Sequence, residues 1–426
     1  MRDDLSLRML TGLAVGTIAG VTAHAVAGES PALEAFVADV TAPLGQIFLR
    51  LLFMLVLPLV VSSLALGVAG LGDVRQLGRI GLKTLAYTVV VSTIAVLIGV
   101  GLVNALRPGA GLAPELRERL LARTSSAALA GVAAEQSAGI DFVVKLVPSN
   151  VFRALADGDV LAVMVFALVL GIGLTLTPTP AARSFERALE GLYDVVMRLL
   201  GLVIRLAPAG VACLLFTTTA RLGYEILWQL GAYVAVVLLA LSIQQFVVYS
   251  ISVGWLGGMS PLKFFRGIRA AMLTAFSTAS SNATLPTALL VAEEELGLPS
   301  HVSRFVLTIG STANQNGTAL FEGVTVLFLA QFYGVELSFA QQVAVAFICI
   351  LGGIGTAGVP AGSIPVVAMI LGTVGVPPEG IGMILGVDRL LDMCRTTLNV
   401  TGDLAAAVVV ARGEPMLPRG AAAPAD

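Results

Sequence analysis

Charge is what this chain has least of. Asp, Glu, Lys and Arg make up 12% of its 426 residues, against about a quarter in an ordinary soluble domain. A surface facing water on all sides cannot be built from so few charges. With 57% hydrophobic residues and a mean hydropathy of +0.93, the chain reads as an integral membrane protein, with the lipid bilayer as a partner. The net charge of −2 leaves no basic surface for nucleic acid. Neither a G-x-x-x-x-G-K-[ST] loop nor a dinucleotide fingerprint is present, so no cofactor is expected. Three cysteines, Cys213, Cys349 and Cys394, sit in apolar runs and read as small hydrophobes rather than a disulfide or metal framework. The two histidines, His24 and His301, lie near segment ends and carry no expected role.

What is there is apolar length. Residues 1–28 have a signal-peptide look, with Arg2 and Arg8 before an apolar run and a weak small-residue site at Ala23-His-Ala25. A polytopic chain follows, so a retained first spanning helix is the reading adopted. Spanning stretches fall at 9–27, 44–71, 82–106, 160–176, 195–219, 227–256, 305–332 and 380–411, about eight helices. Arg75, Arg79, Lys83, Arg183, Arg187, Lys263, Arg266, Arg269, Arg304, Arg412 and Arg419 all fall in alternate connections or the C-terminal tail, whereas the opposite short connections hold only Arg221. By the positive-inside rule both termini are cytoplasmic. The polar connection 107–150, with Glu115, Arg117, Glu118, Arg119 and Arg123, is then external.

Two apolar segments are not ordinary spans. Residues 264–296 hold the small polar patch Ala275-Phe-Ser-Thr-Ala-Ser-Ser-Asn-Ala-Thr-Leu-Pro286, and residues 339–376 hold Gly352-Gly-Ile-Gly-Thr-Ala-Gly-Val-Pro-Ala-Gly-Ser363. Each reads as a re-entrant helical hairpin, one from either side. Non-helical backbone at that depth is tolerated only against protein or a watery cavity. Oppositely oriented hairpins, each followed by a polar-streaked helix, form the inverted-repeat pattern that places a binding site at the midplane. Between them lies Gly310-Ser-Thr-Ala-Asn-Gln-Asn-Gly-Thr318 and then Glu322. This is a poor continuous helix, so local unwinding that frees carbonyls for a cation is expected. Asn314, Thr318 and Glu322 share one face.

The most expensive stretch is 386–403. On a helix, Asp388, Asp392, Arg395, Thr396, Asn399 and Asp403 fall within a sector about 100° wide at 100° per residue. A charge on a lipid-exposed helix centre costs roughly 2.5–3.5 kcal/mol, so this face must look at protein, water or ligand. Arg395 suits a carboxylate, because a guanidinium donates two parallel hydrogen bonds. The Asp groups suit an ammonium or cations. Asp392 and Arg395, three residues apart, could also pair with each other. A small zwitterionic or anionic solute taken up with cations fits this combination.

The tip ending Ala283-Thr-Leu-Pro286, the element Asn314-x-x-Gly-Thr-Ala-Leu320, the tip Gly355-Thr-Ala-Gly-Val-Pro360 and the helix Asp392-x-x-Arg-Thr-x-x-Asn-Val-x-Gly-Asp403 resemble the dicarboxylate/amino acid:cation symporter family, which includes the excitatory amino acid transporters. The likeness covers nearly the whole chain, including Met54-Leu-Val-Leu-Pro-Leu59. It implies an all-α homotrimeric elevator in the cell (inner) membrane. Residues 1–78 would form scaffold helices 1–2, residues 79–106 helix 3 of the transport domain, and residues 107–221 the external loop with scaffold helices 4–5. Residues 222–412 would be the transport core and 413–426 a disordered cytoplasmic tail.

Carried over by motif, Arg395 would bind the substrate's side-chain carboxylate and Asp392 its ammonium. Thr396 and Asn399 would take the ammonium and main-chain carboxylate. Thr318 would line the pocket, and Ser280, Ser281, Val359 and Ser363 would close over it. Gly310, Asn314, Asn399 and Asp403 match a first sodium site, and Thr312, Gly353, Ile354 and Thr356 a second. The third would involve Thr88, Ser92 and Asn316. The resemblance puts an aspartate where this chain has Asn316, and a pair of hydroxyls where it has Val91 and Ser92, so the third sodium is expected to be weak or absent. Glu322 stands at the position of the family's proton-carrying glutamate. The family's extra arginine is replaced by Ala279 and Met393, which argues against potassium counter-transport.

The resulting expectation is not an enzyme but a symporter for aspartate or glutamate, coupled to Na+ and H+. The alternatives are a proton-coupled C4-dicarboxylate symporter and, from other classes, an anion channel or an intramembrane aspartyl protease. The protease needs carboxylates facing each other across a cleft, whereas Asp388, Asp392 and Asp403 stand on one helix.

Overall fold

The computed structural model describes residues 2–28, 30–70, 74–110, 147–157, 160–222, 225–355 and 362–414. Among them there is no strand. The chain runs through α1 (Arg2–Ala27), α2 (Pro31–Phe36), α3 (Ala42–Phe53), α4 (Val56–Gly70), α5 (Val74–Leu106), α6 (Val151–Asp157), α7 (Val160–Leu176), α8 (Pro180–Ile204) and α9 (Ala207–Leu222). It continues through α10 (Glu225–Ile243), α11 (Pro261–Gly267), α12 (Arg269–Thr278), α13 (Ser281–Leu290), α14 (Ser300–Ala313), α15 (Asn316–Tyr333), α16 (Phe339–Gly355), α17 (Ile364–Thr373) and α18 (Ile381–Ala411). Two π turns, Gln244–Val248 and Ser252–Leu256, prolong α10 to Leu256.

Proline sets two breaks that the apolar pattern conceals. A proline ring clashes with the carbonyl four residues back and lacks the N–H that would bond it. Pro58 therefore interrupts the expected span 44–71 at Met54 and Leu55, between α3 and α4. Pro208 ends α8 at Ile204, so the expected single span 195–219 is corrected to α8 and α9, bent by 55°. The N-terminus of α8 is set by Thr179, whose hydroxyl accepts from the Ala182 N–H at 3.2 Å, with Pro180 in the first turn.

Among the described residues, three helical stretches are long and apolar enough to cross a membrane by length and composition, 31–66 (α2 to α4 taken together), 79–106 and 227–256, and the bent α8–α9 pair adds a fourth. Helix α14, with 14 residues, is too short, and α15 and α18 fall short because their inward polar groups count against them as though they faced lipid. Large apolar side chains stay uncovered on the outer faces, such as Leu97 at 60% and Trp255 at 81% exposed. A water-soluble surface avoids such a belt, and the architecture is that of an all-α, multi-pass membrane protein.

The first helix is tied down by glycine. Gly12, Gly16 and Gly20 lie so close to the backbone of α9 at Pro208, Ala212 and Phe216 that a Cβ on any of them would collide with it. This close approach is how helices gain packing in lipid, where no hydrophobic force drives them together. At one end of the molecule Glu414 bridges Arg79 (2.7 Å) and Lys83 (3.0 Å), and Arg412 donates to the Trp255 and Leu256 carbonyls. The end of α18, the start of α5 and the end of α10 are therefore held together. At the other end Gln331 donates to the Val103 carbonyl at 3.0 Å and Asn104 donates to Gln342 at 2.7 Å. The polar centre lies between these ends, where α18 packs against α10, α12, α14 and α15.

Candidate functional site

The polar sector of α18 is buried along its whole length. Asp388, Asp392, Arg395, Thr396, Asn399 and Asp403 are each at most 5% exposed. Their spacing of three or four residues stacks them on one face, and that face is met by the broken helix. The break is where glycine and amide residues make a helix weak: α14 ends at Ala313, Asn314 and Gln315 take non-helical angles, and α15 starts at Asn316. The freed Gln315 N–H donates to the Gly353 carbonyl at 3.2 Å, joining the break to the last turn of α16.

At the N-terminal end of the sector the charges answer one another. Arg395 Nε donates to Asp392 Oδ1 at 3.0 Å and Nη2 lies 2.9 Å from the same oxygen. Nη1 donates to Asp388 Oδ1 at 3.2 Å. The guanidinium carbon lies 4.3 Å above the Phe321 ring, a favourable stacking for a cation. Arg389 approaches the other oxygen of Asp392 at 3.6 Å. The Asp392–Arg395 pairing left open by their spacing is thus present, and Asp388 is a second partner that spacing had not assigned.

In the middle, Asn399 ties α18 to the break. Its Nδ2 donates to Gln315 Oε1 at 2.5 Å and to Thr318 Oγ1 at 3.2 Å, while its Oδ1 accepts the Gly317 N–H at 2.6 Å. Gln315 Nε2 in turn donates to the Ser311 carbonyl at 2.9 Å and to Ser281 Oγ at 3.4 Å. Ser281 opens α13, just after the turn at Ala279, which takes the left-handed conformation at φ 47°. That conformation is strained for a residue with a Cβ, and it lets the Ser280 hydroxyl cap α13 by accepting from the Ala283 N–H at 3.3 Å.

At the C-terminal end Asp403 has a different environment. Asn314 Nδ2 donates to Asp403 Oδ1 at 2.9 Å. Asn314 Oδ1 is buried without a hydrogen-bond partner. A Cβ at Gly310 would stand 2.6 Å from Asp403 Oδ1, so only glycine admits the carboxylate against α14. A carboxylate beside an orphaned amide oxygen is the kind of oxygen donor set that a hard cation takes. Among the described residues no group of three or more His, Cys, Asp or Glu side chains gathers as a metal site.

The remaining expected positions divide. Ser92 Oγ donates to Asn316 Oδ1 at 2.5 Å and Asn316 Nδ2 donates to Tyr249 Oη at 3.2 Å, with Thr88 buried nearby on α5. Glu322 is fully buried, facing α16, where a Cβ at Gly352 would stand 2.8 Å from its Oε2. Ser363 is buried with a hydroxyl that has no hydrogen-bond partner. Thr312 is exposed and its hydroxyl donates within its own helix to Ile309 at 3.0 Å; Gly353 lies instead against Gln315 and Ala319. Thr356 and Val359 lie outside the described residues, as do the side chain of Ile354, most of the external connection 107–150 and the tail beyond Glu414.

Several participants had not been singled out from sequence. Gln315 links three elements, and its place between Asn314 and Asn316 was the available signal. Gln245 Nε2 donates to Thr401 Oγ1 at 2.9 Å from the first π turn of α10. Two adjacent glutamines in an apolar helix were the corresponding mark.

Comparison with known proteins places the chain in a family. The profile described as the sodium:dicarboxylate symporter family matches residues 5–413. The chain is 35% identical over 419 residues to a proton/sodium-glutamate symport protein of Bacillus subtilis, covering 98% of this chain and 94% of that one. It is 33% identical to a proton/glutamate-aspartate symporter of Escherichia coli, covering 97% and 94%. It is also 29% identical to a C4-dicarboxylate transport protein of Bacillus subtilis, covering 96% and 94%. With a family model matching residues 5–413 and relatives at 33–35% identity over nearly the whole of both chains, the chain belongs to the sodium:dicarboxylate symporter family.

Proposed function

We propose that this protein is a secondary active symporter that takes up aspartate or glutamate with sodium and a proton, without converting them chemically. The observation that carries the reading is Arg395: a fully buried guanidinium with N–H donors to spare, on the same helix as Asp403 and its orphaned amide neighbour. The first recognises an acidic side chain and the second a cation, so substrate and ion are bound by one rigid element. Each net positive charge entering down about 100 mV contributes about 2.3 kcal/mol, which is the energy such coupling draws on.

In this reading Asp392 with Thr396 and Asn399 receives the ammonium and main-chain carboxylate, Thr318 and Ser281 line the pocket, and Ser363 lies in its cover. The hairpins α12–α13 and α16–α17 enter the membrane from opposite sides. The core from residue 222 onward moves with α5 against a scaffold of α1–α4 and α7–α9, in a trimer with cytoplasmic termini in the cell membrane. Glu322, buried against Gly352, carries the proton. The Ser92–Asn316–Tyr249 chain supports two sodium sites rather than three, since its neutral groups already satisfy one another.

One observation favours a second reading, a C4-dicarboxylate substrate: both oxygens of Asp392 face guanidinium groups, which leaves it a poorer ammonium acceptor. Labelled uptake into proteoliposomes, with sodium and proton gradients imposed separately, tests both. Sodium-driven aspartate uptake that excess succinate barely inhibits is the expected result. Uptake that ignores sodium would sink the cation role of Asp403, and succinate uptake exceeding that of aspartate would move the assignment to dicarboxylates.

A further inference from the structure

Resting on that reading of Arg395, we infer that Asp388 is a positioning residue that makes the site select ligands carrying an ammonium group, by acting as a resident carboxylate on the substrate-binding guanidinium. A guanidinium has five N–H donors. Nε–H donates to Asp392 Oδ1 and Nη1–H to Asp388 Oδ1, and Nη2 lies 2.9 Å from the same Asp392 oxygen. With five N–H groups and two carboxylate partners, the guanidinium keeps donors on its terminal nitrogens for a ligand carboxylate. Phe321 closes one face of the group, so Asp388 limits both where the fork points and what reaches it.

The charges give this position its effect. Asp388, Asp392, Arg389 and Arg395 sum to zero, so the empty site is balanced without a bound ion. A ligand carboxylate arriving at Arg395 becomes the third carboxylate on one guanidinium. Charges a few ångströms apart interact strongly where water is excluded, and the arriving carboxylate is tolerated best when the ligand brings its own positive charge. Aspartate does so and succinate, of the same carbon length, does not. Asp392 alone would not impose this preference, because its charge is spent on binding the ammonium. Asp388, seven residues before Arg395 and 2% exposed, reaches the guanidinium and supplies the negative charge that an arriving carboxylate meets there.

Asp388→Asn removes that charge and keeps the shape, since an amide oxygen can still accept from Nη1. Titrations of ligand-induced thermal stabilisation on the purified protein in saturating sodium chloride test it with aspartate, succinate and serine. Asp388→Asn should lower the half-saturating succinate concentration about tenfold, lower that of aspartate less, and leave serine within about twofold. Asp388→Glu should keep the wild-type ratio of aspartate to succinate. Arg389→Gln, which shifts the balance the other way without touching Arg395, should raise the succinate value and stands in if the Asp388 variants fold poorly. An equal shift for all three ligands in Asp388→Asn, or no rise for succinate in Arg389→Gln, would overturn the assignment. Wild-type protein that ignores aspartate would refute the amino acid reading, and a gain of succinate binding in its Asp388→Asn variant would still show that Asp388 excludes a ligand without an ammonium group. An unchanged ratio in every variant, with tight aspartate binding, would do the reverse.

Discussion

The two ends of α18 solve the same problem in opposite ways. Asp388, Asp392 and Arg395 compensate one another along a single helix, with Arg389 completing the balance. Asp403, about two turns beyond Arg395, is met by one amide N–H and by a glycine that makes room for it. A buried carboxylate without a countercharge is costly, and in the proposed reading a cation relieves it. The first end balances its own charges, whereas the second leaves a carboxylate without a countercharge. In the proposed reading the first end selects the ligand and the second takes the ion.

The comparison can be broken most directly at Arg395. Arg395→Ala removes the ligand's partner and strands two carboxylates, and aspartate binding should fall on the order of a hundredfold or more, with serine affected far less; equal losses would remove the carboxylate role. Asp403→Asn should abolish most sodium-stimulated uptake, about tenfold or more, while removing the buried charge, so the variant should show a smaller sodium-induced rise in melting temperature. A rise as large as wild type would place the cation elsewhere. Neither end should respond to Gly16→Leu, which drives a side chain into the α9 backbone at Ala212 and should cost about 1–3 kcal/mol of stability. Its yield and melting temperature should drop with the KM for aspartate unchanged, and a changed KM would tie α1 to the site.

The smallest effect is expected outside the spans, at Glu414. Burial raises its carboxyl pKa, but hydrogen bonds from Lys83 and Arg79 outweigh this and hold it below its ordinary value. A depressed carboxylate contributes stability that is present above its unfolded pKa and is lost as pH falls through the lower folded one. The contribution should therefore be full at neutral pH and disappear below about pH 4. Glu414→Gln should cost at most about 1 kcal/mol at neutral pH and flatten the acid limb of a melting-temperature profile; an unchanged limb would show the latch to be idle.

Much of this was legible in the residues. The span at 160–176 coincides with α7, and the weak helix at Gly310–Thr318 breaks at Asn314 and Gln315, because glycine and amide runs lower helix stability locally. The two proline breaks were also written in the chain, since the carbonyl four residues before Pro58 and Pro208 names the site of each interruption. Apolar windows average over that signal. Gln315 was hidden for a different reason: its side chain acts between elements, and one sequence gives no distance between residues 281, 315 and 399. Thr312 faced the converse problem, since a motif names a residue type but not where its hydroxyl turns.

By itself, the sequence determined that this protein lives in a membrane and that one helix face must be shielded from lipid, because those conclusions follow from the cost of charge in hydrocarbon and from helical periodicity alone. Only the tertiary structure decided which carboxylates hold Arg395, which amide meets Asp403, and that Asn316 is already satisfied by Ser92 and Tyr249. Two of those three pairings join residues brought together by helix packing. The third, Asp388 with Arg395, lies within one helix, yet it was settled by side-chain direction and by Phe321 beneath the guanidinium rather than by spacing.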